Sequence, residues 1–381
     1  MARILTPRLL LRGFEIFAVA SLAGFGALLI YSGDLPAFLE SITRLKWGWL
    51  LVGLVLASMD WIGGGLRLWV LARVVHRDPP VGKLMIAGGM GAWAAYVTPL
   101  QSGAGPMIVY AMRRAGIPLP VAATTTLMSF IATVAFFAIA GPLALLFGAG
   151  KSLGQEGDLL GLSLYDLFLA SLAVFGGLGV LLIVVIVFPR LVRDLIHRLA
   201  ESVGRRSRRV AERLELLRAG LDQAHASVET FNTPRGWLAL FWATLLSGPS
   251  HANKLLAGYV TLRALGIHAN FVDVLLLQTL ITFLLYFAPT PGASGIAELM
   301  SAAVMSVYVP REQTAIYILV WRLVLSWYTI GFGFFVFSQW VRKGLKGIAV
   351  EPESVEEVEE DTQLLAASRQ ANVRFPHSGQ P

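Results

Sequence analysis

Asp60, Arg67, Lys254, Glu298 and Arg322 are charged residues set inside long apolar stretches, and His251 and Asn253 stand beside Lys254. A charge at the centre of a bilayer costs about 2.5–3.5 kcal/mol on insertion scales, so each needs a reason to be there. One reason is structural: internal ion pairing, or snorkelling, as for Arg67 and Arg73 reaching toward the inner surface. The other is chemistry. Lys254 and Arg322, with Arg113 and Arg114, are cations available to an anionic ligand, and Glu298 suits an exchangeable counter-ion for either Lys254 or Arg322. Asp60 and Glu298 make an acid–base pair only if the fold brings them together, and their spacing gives no such indication. The six histidines show no metal-ligand spacing, and Gly103-x-Gly105 has neither the Lys-Ser/Thr ending nor the strand of a nucleotide loop. No catalytic residue, metal or cofactor is expected.

Two stretches look like copies of one device: YVTPLQSGAGPMIVYAMRRAG (Tyr96–Gly116) and YFAPTPGASGIAELMSAAVM (Tyr286–Met305). Each predicts an apolar helix that breaks at a Pro/Gly/Ser-rich turn and restarts as a short helix. Such a break survives only inside protein or against a water-filled cavity, because unpaired backbone groups are expensive in hydrocarbon. Gly105-Pro106 opens one short helix with proline at a favourable first position, and Ser294-Gly295 opens the other with a capping hydroxyl. If both hairpins are re-entrant, both N-termini face the midplane and favour an anion such as phosphate. One helix end contributes about 0.3–2 kcal/mol, against roughly 20 kcal/mol for moving a bare ion into low dielectric. A hydrated groove and basic partners are therefore required. The expected substrate-binding set is Gln101, Ser102, Gly103, Gly105, Arg113, Arg114, Lys254, Ser294, Gly295, Glu298 and Arg322.

The elements that must position these residues are membrane helices. Of 381 residues, 56% are hydrophobic and 14% charged, where a soluble domain carries about 25% charged residues. There is no cysteine, so disulfides and thiolate chemistry are excluded. The net charge of +7 comes from basic loops between apolar spans, a poor pattern for nucleic acid. The fold class is all-α: a polytopic membrane protein with inverted repeats, about six full spans and two re-entrant helical hairpins, eight hydrophobic segments in all. The full spans lie near 13–31, 48–71, 120–147, 165–188, 237–262 and 313–340; the hairpins lie within 83–115 and 272–309. The N-terminal stretch imitates a signal peptide but shows no convincing cleavage site and reads as a retained first span. With a basic N-terminus inside, six crossings put Arg73–Lys83, Arg113–Arg114, Pro189–Arg235 and Arg342–Lys346 all in the cytoplasm.

A shift of 190 residues aligns Trp47 with Trp237, Arg73 with Arg263, Tyr96 with Tyr286, Pro99 with Pro289 and Gly105 with Gly295. The expected organisation is a transmembrane domain over 1–349, with repeat one about 47–188, repeat two about 237–342, and a basic cytoplasmic helical insert over 189–235. An acidic, disordered tail follows over 350–381. The insert's apolar residues recur at helical spacing, so it either lies on anionic headgroups or offers a coiled-coil surface to a partner at 189–230.

These segments resemble the lysylphosphatidylglycerol synthase transmembrane family, flippase-like integral membrane proteins. The resemblance rests on Pro99, Gly103, Pro106, Tyr110, Arg113, Arg114 and Gly116, and on Pro289, Pro291, Gly292, Gly295 and Glu298 followed by Trp321-Arg322 and Tyr328. It implies movement of a lipid between leaflets without the soluble aminoacyl transferase domain of bifunctional members. Many relatives carry an acidic or amide residue where Gly105 stands, and a Glu-Arg pair where Met128-Ser129 stand; both departures bear on cargo or coupling chemistry.

The expected function is to move or bind an anionic lipid headgroup, phospholipid or other, between leaflets, without covalent chemistry. The expected location is a bacterial cytoplasmic membrane with both termini inside. A homo-oligomer is left open. The alternatives are a secondary transporter of a small anion, a membrane-embedded lipid-modifying enzyme, and a scaffold presenting the basic helix. A cavity opening sideways toward lipid separates the first reading from the small-anion transporter.

Overall fold

Proline at the first turn and an apolar run start the first helix, α1 (Pro7–Ser32). Then follow α2 (Leu35–Thr43), α3 (Trp47–Ala57), α4 (Met59–Val75), α5 (Val81–Tyr96), α6 (Ala104–Arg114) and α7 (Leu119–Leu146). After an interval come α8 (Pro234–Ser250), α9 (Ala252–Ala264), α10 (Phe271–Tyr286), α11 (Ile296–Met305), α12 (Thr314–Arg322) and α13 (Tyr328–Val350). The computed structural model describes residues 7–32, 35–146, 226–286 and 288–350, with scattered positions between 158 and 198. Met1–Gly333 form one compact unit; Phe334–Pro381 form a second, of which residues 334–350, within α13, are described.

Among the described residues the regular structure is helical, apart from a two-residue antiparallel pair at Asp158–Leu159 and Leu162–Ser163. Among the described residues, four helices are long and apolar enough to cross a membrane: Leu10–Ile30, Trp47–Val75, Leu119–Ala140 and Arg311–Arg342. Most of the expected span 165–188, most of the basic insert 189–235 and the acidic tail from 351 lie outside the described residues. The expected span 237–262 is divided. Helix α8 ends at Ser250, one residue after Pro249, and α9 restarts beyond His251. A proline near a helix end supplies no N–H and stops the ladder.

Helix α3 packs on α9 while α4 packs on α8, so the two broken helices run antiparallel along each other. Helix α4 also lies against α5, where the backbones almost touch: a Cβ at Gly88 would stand 2.5 Å from the Gly65 nitrogen. Small residues permit such closeness where burial of apolar surface between helices drives little.

Both short helices follow a three-residue 3-10 turn, Pro99–Gln101 before α6 and Pro291–Ala293 before α11. The turns share one backbone shape: φ is +52° at Leu100 and +54° at Gln101, against +57° at Gly292 and +53° at Ala293. The backbone therefore repeats Pro99 at Pro291, rather than at Pro289 as the 190-residue shift suggests. The second chain spends two more residues between its helix end and its turn, and the identical prolines hide that insertion.

The hairpin tips meet. Leu100 donates its N–H to the Ala288 carbonyl at 3.4 Å, and a Cβ at Gly292 would sit 2.6 Å from the Tyr96 carbonyl oxygen. Helix α1 crosses both tips with one face. Gly13 backs onto Val97, Phe17 onto Gly292, Ser21 onto Glu298 and Gly24 onto Gly295, a spacing of three and four that keeps them on one side of a helix.

Candidate functional site

Asp60 begins as a cost: a carboxylate near the middle of the span Trp47–Val75, only 3% exposed. Four donors meet it. Lys254 Nζ lies 3.2 Å from Oδ1; Asn253 Nδ2, Thr329 Oγ1 and the Tyr96 hydroxyl reach Oδ2 at 2.9, 3.0 and 3.3 Å. Buried charges persist when paired and hydrogen-bonded in this way. Asn253 also donates to the Leu325 carbonyl at 3.0 Å, inside a π-helical segment, Leu323–Trp327. That wider turn lies between Arg322 and Thr329, two residues of the polar interior, a common setting for such bulges.

Beside this cluster is a cavity of about 360 Å³. Its wall carries Asp60, Arg67, His251 and Lys254 together with hydroxyl and amide groups such as Thr126, Ser129 and Gln101. Arg67 Nη1 donates to Thr133 Oγ1 at 2.6 Å and to Ser247 Oγ at 3.2 Å, while its buried Nε has no hydrogen-bond partner. His251 Nδ1 donates to the Ser247 carbonyl at 2.8 Å. Phe130, at the middle of Leu119–Ala140, lines the same cavity and is 52% exposed.

A second ion pair is sealed. Arg322 Nε donates to Glu298 Oε1 at 2.8 Å, and neither residue is exposed at all. Ser21 on α1 also donates to Oε1, at 2.5 Å, and the Gly295 N–H donates to Oε2 at 2.8 Å. Arg322 Nη1 reaches the Gly292 carbonyl at 3.2 Å, and its Nη2 is buried without a partner. A void of about 20 Å³ lies here, lined by Arg322, Lys254, Gln101 and Tyr96. Lys254 and Gln101 face both spaces.

With this geometry established, the comparisons with known proteins decide the family. The model of the lysylphosphatidylglycerol synthase TM region matches residues 16–333. The chain belongs to this family. A UPF0104 membrane protein of Archaeoglobus fulgidus is 25% identical over 296 residues, covering 77% of this chain and 86% of that relative. The resemblance argued from the two hairpin motifs is thereby shown.

In this member of the lysylphosphatidylglycerol synthase TM-region family, the expected site residues separate into groups. Gln101, Gly105 and Lys254 line the large cavity. Glu298 and Arg322 pair with each other, one of the two pairings anticipated. Gly103 is buried, its N–H bonded to Thr98 Oγ1 at 2.9 Å; Ser102 is exposed and donates to the Pro99 carbonyl. Arg113 and Arg114 are exposed at the far end of α6, where they reach the Ile117 carbonyl and the Tyr110 hydroxyl.

Two helix starts differ from expectation. Ser294 Oγ donates to the Pro291 carbonyl and caps nothing; Glu298 reaches back to the Gly295 N–H instead. Glycine at that cap has no side chain to accept from the first-turn N–H groups; the third helical residue accepts from the cap's own N–H, the other half of a capping box. Helix α6 begins at Ala104, which puts Pro106 third rather than first, still within the turn whose N–H groups need no intrahelical partner.

Reading the sequence alone left Arg67 between snorkelling to the inner surface and a role in chemistry, outside the expected binding set; the fold puts it in the cavity wall. Thr329, Thr133 and Ser247 gave no signal, because a hydroxyl in an apolar helix usually bonds its own backbone. Tyr96 and Tyr286 did carry a signal. They aligned as repeat markers, and both line the polar spaces.

Proposed function

We propose that this chain binds the headgroup of an anionic lipid within the membrane and moves it between leaflets, without covalent chemistry. The supporting observation is the cavity beside Asp60 and Lys254, placed near the middle of two spans and bordered by half-exposed Phe130. A residue at that depth on a membrane protein's outer surface meets acyl chains, so an opening there favours a lipid over a small soluble anion. Basic side chains and hydroxyls in the wall replace part of the hydration that a phosphate loses in a low-dielectric interior. The two carboxylates of the polar interior, Asp60 and Glu298, are already engaged by protein donors, Asp60 by four and Glu298 by three, which suits a binding role better than an acid–base pair.

In this reading the two halves, each a broken helix, an apolar helix, a 3-10 turn and a short helix, are inverted repeats. Their hairpins are re-entrant and meet from opposite faces, as at a transporter's substrate site. Six crossings place both termini in the cytoplasm of a bacterial inner membrane. The test is lipid scrambling in reconstituted vesicles with a head-labelled phosphatidylglycerol. Wild-type protein should exceed protein-free vesicles, and Lys254→Gln should slow it at least tenfold. Wild-type vesicles no faster than empty ones overturn the reading.

A further inference from the structure

The two buried ion pairs among the described residues do not include Arg67. Lys254 answers Asp60 at 3.2 Å and Arg322 answers Glu298 at 2.8 Å. Arg67 has no carboxylate within ion-pair distance among the described residues; its hydrogen bonds go to two neutral hydroxyls, Thr133 and Ser247. Its Nε is buried and unpartnered, beside a cavity that Arg67 itself lines. A hydroxyl orients a guanidinium but does not neutralise it. Asp60 is already committed to Lys254, and a guanidinium without a carboxylate of its own in a low-dielectric wall is unfavourable, so this wall is suited to an anion. The planar fork of arginine matches the paired oxygens of a phosphate better than a point charge does.

One side of the cavity lies between two neighbouring helices. Helices α6 and α7 pack together, and the cavity is lined by Gly105 and Ile108 on one and Thr126, Phe130 and Thr133 on the other. At Gly105 the space is open: an added Cβ would meet only the Thr126 methyl, at 3.9 Å. Phe130 marks the outer end at the depth of acyl chains.

We infer that Arg67 is the anion-binding residue and that the phosphate ester of a membrane phospholipid reaches it between α6 and α7, its acyl chains remaining in the bilayer beside Phe130. This inference rests on the lipid-headgroup reading above and names its site. The phosphate oxygens accept from the free edge of the guanidinium while Thr133 and Ser247 hold the other nitrogen. Lys254 keeps to Asp60 and adds a second positive charge to the wall.

The experiment uses the full chain purified in detergent, with thermal unfolding and native mass spectrometry against added phosphatidylglycerol, phosphatidylcholine or inorganic phosphate. Wild type should be stabilised by phosphatidylglycerol in preference to phosphatidylcholine. Arg67→Gln should lose that preference, with affinity for phosphatidylglycerol down at least tenfold, while its lipid-free Tm stays equal or rises because a partly buried charge without a carboxylate of its own has gone. Gly105→Leu, which leaves Arg67 intact, should weaken phosphatidylglycerol binding at least tenfold by filling the entry. Full lipid preference in either variant overturns this inference and leaves the lipid-headgroup reading standing. Wild type indifferent between the two lipids overturns both. Wild type stabilised equally by inorganic phosphate overturns the lipid as occupant. Should Arg67→Gln not accumulate, Arg67→Lys, which keeps charge but loses the fork, is expected to bind several-fold more weakly; wild-type affinity there is equally fatal.

Discussion

The backbone N–H of Leu100 bonds the carbonyl of Ala288, 3.4 Å away across 188 residues of chain, and so ties the tip of one broken hairpin to the tip of the other. Around that bond the fold stacks its polar interior. Arg322 holds the Gly292 carbonyl, Gln101 faces both cavities, and α1 passes over the outside. Tip contact, cavity and the two ion pairs are one assembly, and substitutions within it have separable consequences.

Gly292 has φ +57° and no room for a Cβ, with the Tyr96 carbonyl oxygen 2.6 Å from where it would be. Gly292→Leu adds left-handed strain and a clash with fixed backbone. We expect a loss of about 1–3 kcal/mol or more, read as a lowered Tm in detergent. Gly26→Ala, with nothing within 4 Å, should leave Tm unchanged. Equal behaviour of the two would show that the tips do not touch.

Asp60→Asn strands Lys254, whereas Lys254→Met leaves Asp60 with three neutral donors. Breaking a buried pair from one side is expected to cost about 3–5 kcal/mol. The double variant Asp60→Asn with Lys254→Met should recover part of the loss, giving a coupling of about 0.5–3 kcal/mol in a double-mutant cycle. Strict additivity would show that the 3.2 Å pair contributes nothing specific.

Glu298 carries two jobs, pairing Arg322 and capping α11 through Gly295. Glu298→Gln keeps an acceptor for the cap and loses the charge; Glu298→Ala loses both. Alanine should therefore be worse than glutamine by about 0.5–2 kcal/mol, the usual worth of a helix cap. Identical stabilities would mean the cap is dispensable.

Ser21 connects α1 to this pair by one hydrogen bond. Ser21→Ala should lower stability by about 1 kcal/mol, and hydrogen exchange of the Ile296–Met305 helix should rise. Replacing the neighbouring exposed Leu22 by alanine should leave that exchange unaltered.

Much of this was legible in residue order. Composition and apolar runs announced a membrane protein, and Pro/Gly punctuation marked both turns within a residue or two of their observed places. Helix propensity and turn chemistry are local, so 3-10 turns at Pro99 and Pro291 follow from a few adjacent residues. Four of the buried charges, Asp60, Lys254, Glu298 and Arg322, were visible too as isolated charges in apolar stretches; Asp273, near the start of its helix and also buried, was passed over.

Partnership was not. Asp60 and Lys254 are 194 positions apart, Ser21 and Glu298 are 277 apart, and no local rule reaches so far. The order of residues determined an all-helical membrane chain of this family, with paired helix breaks and a short inventory of intramembrane charges. Only the tertiary structure decided that Glu298 closes on Arg322, that Asp60 takes Lys254, and that Arg67 turns into a cavity wall with no ion pair among the described residues. The reason is physical: an ion pair in a low-dielectric interior depends on ångström-scale approach between distant helices, and that approach is set by packing.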